Sequence, residues 1–257
     1  TGTVDMTNIN FNNQTNAGIN IGNNMDLSFS GIIEKVTPGA AIKVSSSDTG
    51  GWEWNNLSFT DNAIGISVAG IGDYTLNRPS FSGNTEDIKI SSAAKLTVID
   101  GTVDLNKVSV SSGLGMVERG WSVTFVTKYG GFARANAEVY LLRDGGGIAG
   151  SSISDSEGKA YGFVKVTDRI TNTGITAVPL GSYEVVALIA EDDTADTRLW
   201  RYIRETPVLT STGAQEIELI LTATIDAIAT AMTGDSPLAA KKCIAAPLLP
   251  PSRVCVA

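Results

Sequence analysis

The first hundred residues repeat a unit made of an aromatic residue, small polar residues and an alternating apolar pair. The units begin at Phe11, Phe29, Phe59 and Phe81, which are 18, 30 and 22 residues apart. Apolar and polar residues alternate within each unit, as in Ile64-Gly-Ile66-Ser-Val68. Alternation with a period of two is typical of strands that bury one face. Because one such unit cannot bury its apolar face alone, the repeat predicts the stacked coils of a parallel β-helix.

Asparagine is concentrated at the start of this region, at positions 8, 10, 12, 13, 16, 20, 23 and 24. Asparagine tolerates left-handed turn conformations and can form ladders of side-chain amides between coils. We therefore predict an all-β chain that begins with a short right-handed parallel β-helix over residues 1–112. An antiparallel β-sandwich with Asn/Gly turns is the alternative that the same pattern allows.

From about residue 119 the pattern changes to strand-like runs separated by Gly, Asp and Asn clusters. The runs cover residues 121–126, 137–142, 160–166, 182–189, 198–203 and 215–221. This density of short strands indicates an antiparallel β-sandwich over residues 119–222. The Gly/Ser stretch at 111–115 is the expected boundary between the two domains.

Four strings in the second region resemble, in this order, the carboxypeptidase-regulatory or transthyretin-like β-sandwich family. They are Ala137-Glu-Val-Tyr-Leu, Arg143-Asp-Gly-Gly-Gly-Ile148, Ser154-Asp155-Ser-Glu-Gly158-Lys-Ala160-Tyr-Gly-Phe163 and Gly181-Ser-Tyr183-Glu-Val. The resemblance implies an immunoglobulin-like fold in which Asp155 and Gly158 form a turn without a catalytic role. It also implies an accessory module that binds or scaffolds.

The arrangement of the whole chain carries a second resemblance. An Asn/Gly-rich solenoid that ends in Phe81-Ser-Gly-Asn-Thr-Glu-Asp-Ile88 and is followed by a sandwich is similar to virion structural proteins of tailed bacteriophages, over residues 55–222. That similarity implies a capsid-decoration, tail or fibre protein, located in the virion and assembled with other virion proteins and with copies of itself. A secreted or cell-surface filament protein is the alternative.

The C-terminal segment, 223–257, has a different pattern again. Apolar residues from Thr224 to Met232 recur at helical spacing, and Gly234 ends the run, which predicts a short helix. The remaining tail is apolar, contains four prolines and predicts an extended arm that docks on a neighbour or folds back. The candidate assembly contacts are Ile225, Ile228, Met232, Leu248 and Leu249.

The composition of the chain argues against several classes of function. The net charge of −8 argues against a nucleic-acid partner, and the absence of His removes imidazole bases and common zinc sites. No apolar run is long enough for a membrane-spanning helix, so we expect no membrane partner.

Cys243 and Cys255 form a candidate disulfide, with two free thiols as the alternative. The chain begins at Thr1 rather than Met, so we expect a processed chain or a fragment.

Candidate chemistry is sparse. Trp52 and Trp54 are the candidate contacts for a glycan or a partner, although packing against the solenoid explains them as well. The acidic cluster that begins at Glu191 lacks an ordered calcium-loop signature and reads as a solvated loop. The carboxylates along the repeat, Asp61, Asp73, Asp87, Asp100 and Asp104, fall mostly in turns.

We therefore expect a non-enzymatic structural subunit with no catalytic residues, cofactor or metal. A surface adhesin or carbohydrate-binding module is the alternative, and a glycan depolymerase on the β-helix is a third hypothesis.

Overall fold

The computed structural model of the chain describes residues 3–12, 17–21, 26–34, 36, 39–45, 51–143, 147–179, 183–191, 199–221 and 223–225. Within these ranges the fold is all-β, and its only helical element is a 3-10 turn at Leu105–Lys107. The chain divides into two compact units. The first comprises Thr1–Trp121 and Val166–Pro179, and the second comprises Ser122–Lys165 and Leu180–Ala257.

Among the described residues, twelve strands precede residue 112. They are β1 (Thr3–Asn12), β2 (Ala17–Ile21), β3 (Asp26–Glu34), β4 (Ala40–Val44), β5 (Glu53–Asn55), β6 (Leu57–Thr60), β7 (Ile64–Val68), β8 (Asp73–Asn77), β9 (Ser80–Ser82), β10 (Glu86–Ile90), β11 (Lys95–Ile99) and β12 (Val108–Val110).

Ten further strands follow in the part of the chain that the structure describes. They are β13 (Met116–Tyr129), β14 (Phe132–Ala133), β15 (Glu138–Leu142), β16 (Ile148–Ile153), β17 (Lys159–Thr171), β18 (Gly174–Ala177), β19 (Glu184–Glu191), β20 (Leu199–Glu205), β21 (Gln215–Ile220) and β22 (Ala223–Ile225).

The first unit is a β-solenoid of about four turns, as the repeat predicts. Its strands stack in parallel in three sheets, ordered β1-β3-β6-β9, β2-β4-β7-β10-β12 and β5-β8-β11-β13. A complete coil therefore contributes one strand to each sheet, as β6, β7 and β8 do. The parallel pairing excludes the antiparallel sandwich for this region, whereas the right hand of the helix stays a prediction.

Apolar side chains stack in columns inside the solenoid. The pair Ile66 and Val68 lies in register with Ile42 and Val44 on one side and with Ile88 and Ile90 on the other, and all six are buried. The residues that lie in register with the repeat phenylalanines differ from those that the sequence pattern predicts. Ile33, not Phe29, lies in register with Phe11 and Phe59, because Phe29 pairs with Met6. The repeat start assigned to Phe29 is therefore wrong.

Left-handed residues form the corners of the coils. Asn56, Arg78 and Asp100 have φ of 57°, 53° and 53°, and each follows the previous one by 22 residues. Their amides donate to carbonyls of the next coil, as Asn56 does to Asn77 at 2.9 Å. Asp61 and Gly83 form a second set of corners, with φ of 54° and 68°. The stretch at Ser111–Gly115 joins β12 to β13 within the first unit, and the division between units falls later, after Trp121.

A hairpin from a distant part of the sequence completes the first unit. In the third sheet β17 lies next to β13, and β18 pairs antiparallel with β17 from Asp168↔Ala177 to Thr171↔Gly174. Ile170, in this hairpin, is 3% exposed and belongs to the solenoid core. Residues 166–179 therefore cover the last coil, although the sequence pattern assigns them to the second domain.

The second unit contains an antiparallel sheet ordered β16-β15-β19-β20-β22. In addition, residues Val123–Lys128 of β13 pair in parallel with β21. One core cluster takes residues from both groups and from β17, among them Phe125, Leu141, Phe163, Val185 and Leu219. Val186 and Leu188 are buried in a separate cluster, so β19 carries apolar side chains on both faces.

The strand runs predicted from residue 121 onwards are confirmed as β13, β15, β17, β19, β20 and β21. The first two residues of the predicted C-terminal helix, Thr224 and Ile225, belong instead to β22, which pairs with β20. The rest of that prediction falls in residues 226–257, outside the described part of the chain.

Candidate functional site

A ladder of buried amides lies at the corner between the first two sheets of the solenoid. Asn62 and Asn84 are each 1% exposed. The Asn62 side chain donates to the Ile33 carbonyl at 2.9 Å and accepts from the Val36 amide at 3.0 Å. One coil later the Asn84 side chain makes the equivalent bonds. It donates to the Phe59 carbonyl and accepts from the backbone amide of Asn62. The ladder satisfies backbone groups that would otherwise be buried without a partner.

Charged groups extend this ladder toward the last coil. Asp87, which is 2% exposed, accepts from the Asn84 side chain at 3.1 Å and from the Asp104 amide at 3.0 Å. The Lys107 ammonium donates to the Asn84 carbonyl at 2.7 Å. The bonds from Asp104 and Lys107 cross to the preceding coil, whereas the Asn84–Asp87 bond lies within one coil, so the group holds adjacent coils together.

A second polar cluster ties the covering hairpin to the solenoid. The Glu118 carboxylate, with a side chain 4% exposed, accepts from Lys95 at 2.8 Å and from Arg169 at 2.6 Å. Burial by itself raises the pKa of Glu118, but the hydrogen bonds and charges of Lys95 and Arg169 outweigh burial and hold the pKa below its ordinary value. Glu118 therefore stays ionised and joins three adjacent strands, β11, β13 and β17.

A neighbouring ion pair joins Arg119 of β13 to Asp168 of the same hairpin. The Arg119 Nε and Nη2 atoms both donate to Asp168 Oδ2, at 2.9 and 2.7 Å. The Thr167 hydroxyl donates to the same oxygen at 2.8 Å. With three donors on one oxygen, Asp168 is a structural acceptor in this arrangement.

The two predicted glycan or partner contacts, Trp52 and Trp54, lie in the solenoid core. Their side chains are 6% and 1% exposed, and their rings stack with centroids 6.2 Å apart. Trp54 is in register with buried Leu76 of the next coil. The ring faces on which a glycan would stack are thus covered, and the packing interpretation fits their position.

The turn implied by the family resemblance is present. Asp155 Oδ1 accepts from the amides of Glu157 and Lys159 at 2.8 and 3.0 Å, and Gly158 has φ of 78°. The hydrogen bond from the Lys159 amide is the main reason that the pKa of Asp155 lies below its ordinary value. These bonds form and close a hairpin turn and place no group for catalysis.

The remaining acidic candidates occupy structural positions. Asp61 and Asp100 are corner residues with positive φ, and Asp104 precedes the 3-10 turn and accepts from the Asn106 amide at 3.0 Å. Among the described residues no group of three or more Asp, Glu, Cys or His could hold a metal ion. The acidic cluster after Glu191 falls in residues 192–198, outside the described ranges.

The candidate disulfide and all but one of the candidate assembly contacts lie outside the described residues. Cys243, Cys255, Ile228, Met232, Leu248 and Leu249 all fall in 226–257. Ile225 is described as part of β22, where its backbone pairs with Trp200. These assembly and disulfide assignments stay predictions. Among the described residues no helix is long and apolar enough to cross a membrane.

Sequence reasoning missed the buried Asn62 and Asn84, although a signal for them exists. Each follows a stacked phenylalanine by three residues, as in Phe59-Thr-Asp-Asn62 and Phe81-Ser-Gly-Asn84. The Glu118 cluster carried no comparable signal, because Arg169 reaches it from 51 residues away.

Comparison with known proteins returned no match: no family model, no curated protein and no solved structure is similar to the chain. The structure itself shows a β-solenoid in which buried Asn62, Asn84 and Asp87 bond across adjacent coils.

Proposed function

We propose that the protein is a non-enzymatic structural subunit of an extracellular or viral assembly, in particular a capsid-decoration, tail or fibre protein of a phage virion. The observation that carries this proposal is the use of the buried polar groups. Asn62 and Asn84 bond to each other across adjacent coils, Asp87 accepts from the Asp104 amide of the next coil, and Glu118 bonds to Lys95 of the adjacent strand. Active sites, in contrast, keep such groups turned toward a cleft with their pKa values tuned for chemistry.

We further propose that the second unit is the immunoglobulin-like sandwich implied by the resemblance. Support comes from the core cluster shared by β13, β21 and the antiparallel sheet, and from the Asp155–Gly158 turn. A sandwich of this kind joined to a solenoid supplies rigid surfaces for assembly without chemistry.

The test is quantitative mass spectrometry of particles and surface filaments purified from the organism that encodes the chain. We expect a fixed number of copies relative to the main shell or filament protein, retained through salt washing and density-gradient centrifugation. Absence from every particle and filament would overturn the proposal. Release of reducing ends from a polysaccharide would favour the depolymerase, and salt-resistant retention on immobilised glycans would favour the adhesin.

A further inference from the structure

The antiparallel sheet of the second unit also buries apolar side chains on its outer face, the side turned away from the core cluster that contains Leu141 and Val185. Tyr140 pairs with Val186 across β15 and β19, and Leu142 and Leu188 lie two residues further along these strands, so all four share the outer face. Leu142, Val186 and Leu188 are 1%, 1% and 0% exposed. The outer face is therefore closed to water at its centre.

The sheet itself cannot provide this cover. Among the described residues the outer cluster consists of Leu142, Val186 and Leu188 with Tyr140 packed against it, and all four come from the adjacent strands β15 and β19. Side chains of one sheet stand side by side and roughly perpendicular to it, so neighbours on one face leave the outer ends of each other open. Burial as complete as this requires a second layer above the sheet.

The composition of the second unit identifies the source of that layer. The residues of this unit outside the described ranges are 144–146, 180–182, 192–198, 222 and 226–257. The four shorter stretches contain two apolar residues in all, Leu180 and Ala195. The C-terminal segment 226–257 has 32 residues, of which 18 are apolar and 5 are charged. Among these stretches, this segment alone carries enough apolar surface to cover a sheet face.

The C-terminal segment also starts beside the outer face. It follows β22, which ends at Ile225 in a sheet ordered β15-β19-β20-β22. Strands β19 and β15 therefore lie two and three strand spacings from β22, about 10 and 14 Å. Four or five extended residues, at about 3.3 Å each, cover that distance. Most of the segment is then left to lie over the cluster.

The charged groups of the outer face suit an apolar cover. The Tyr140 hydroxyl donates to Glu138 at 2.8 Å, and Arg204 forms an ion pair with Glu184. These groups find partners within the sheet, so a covering segment needs no charged residue opposite them. An unpaired charge on the covering segment would be costly to bury there, and most of 226–257 carries none.

We propose that the outer face of this sheet is the docking surface for the C-terminal segment 226–257 of the same chain. The candidate assembly contacts Ile228, Met232, Leu248 and Leu249 then lie in a segment that packs within one chain. The proposal goes beyond the structural role proposed above and does not depend on it, because copies of the chain can assemble through other surfaces.

The test is photo-cross-linking of the full chain. In a chain with Cys243→Ser and Cys255→Ser, the substitution Ser151→Cys carries a thiol-linked benzophenone on the outer face, because Ser151 is exposed and pairs with Tyr140. The matched control is Ser152→Cys, the next residue of the same strand, which pairs with Val139 of the core cluster and so lies on the opposite face. Equal far-UV circular dichroism and equal urea midpoints would establish that both labelled chains are folded.

Irradiation, denaturing electrophoresis and peptide mapping then give the result. We expect the probe at Ser151→Cys to capture mainly peptides of 226–257 in a product of single-chain mass, 26.8 kDa, and the probe at Ser152→Cys to capture few of them. Capture in a product of twice that mass would mean that the segment of another copy covers the face, which would overturn docking within one chain.

Two further results would also overturn the proposal. They are capture of other peptides alone by folded Ser151→Cys, and equal capture of 226–257 from both faces of β16. None of these outcomes bears on the structural role, which the copy number in purified particles decides separately.

Discussion

The side chain of Asn62 donates a hydrogen bond to the side chain of Asn84, its counterpart 22 residues later, over 3.1 Å. Both residues are buried, and each also bonds to the backbone of the coil before it. The corner of the solenoid is therefore fixed from inside by side chains. Such groups stabilise a fold while they are paired and become costly when a partner is removed.

Substitution Asn84→Ala should destabilise the solenoid strongly. It leaves the Phe59 carbonyl and the Asn62 amide without their bonds inside the core, and each orphaned group costs about 1–3 kcal/mol. The matched control is Asn77→Ala, which removes an amide that also bonds one coil away, to Asn55, but in an exposed position. Urea unfolding should show a loss for Asn84→Ala at least about twice that of Asn77→Ala. Equal losses would show that burial of the ladder is not important.

Glu118 should make the stability of the solenoid depend on pH. Its pKa is lower in the folded chain than in the unfolded chain, so the unfolded state binds more protons in the acidic range. The stabilisation is present above the ordinary value of 4.5 and is lost as the pH falls through the folded pKa. We expect Glu118→Gln to reduce this dependence and to cost about 2 kcal/mol at neutral pH, the scale of a hydrogen bond to a charged group.

The control for Glu118 is Asp73→Asn, which alters an exposed carboxylate in register with Lys95 on its other side. Urea midpoints measured from neutral to acidic pH should be nearly parallel for Asp73→Asn and the natural chain. If Glu118→Gln also ran parallel to the natural chain, the ion-pair cluster would not be the source of the acid sensitivity.

The hairpin at residues 166–179 should be required for the stability of the solenoid. Ile170 is buried in the solenoid core, and truncation of such a residue to Ala costs about 2–5 kcal/mol. Ile175 lies in the same hairpin but is 48% exposed, so Ile175→Ala should cost under about 0.5 kcal/mol. Three of the four tryptophans, Trp52, Trp54 and Trp121, belong to this unit, so fluorescence reports mainly on its unfolding. Similar midpoints for the two variants would mean that the hairpin does not cover the core.

Gly158 should tolerate no side chain at the turn after β16. A Cβ there would lie 2.6 Å from the Thr127 carbonyl, and φ is 78°. Gly130 has a φ of 60° and open space around the same atom, so Gly130→Ala isolates the backbone strain, about 1 kcal/mol. We expect Gly158→Ala to cost about 1–3 kcal/mol more, the usual price of overpacking. Thermal unfolding of the two variants side by side measures the difference.

The solenoid could be predicted from the sequence repeat because the alternation of apolar and polar residues is a local signal. The pairs Ile66/Val68 and Ile88/Ile90 alternate with polar residues over a few positions, and that period survives in the structure as buried columns. Phe29 matches a repeat start because, like Phe11, Phe59 and Phe81, it precedes a small polar residue. The register of the strands, however, is set by pairing between coils, which this local pattern does not reveal. Ile33 provides the same bulk without the aromatic signature.

The sequence pattern also does not reveal that β17 runs from the second unit into the first. The strand from Lys159 to Thr171 reads as one continuous element, and nothing in its alternation reveals that its second half belongs to the first unit. The sequence pattern therefore gives no sign that Arg169 pairs with Glu118. Burial of Trp52 and Trp54 was similarly hidden, because an aromatic pair next to glycines fits a binding platform and a core equally well.

The corners at Asn56, Arg78 and Asp100 divide this part of the chain into coils of constant length. Because each coil contains the same number of residues, in-frame duplication of one 22-residue segment would lengthen the solenoid by about 4.8 Å and leave both ends unchanged. Length could then change by gene duplication alone, without redesign of the core. Variation among chains of this architecture is expected in whole coils rather than in single residues.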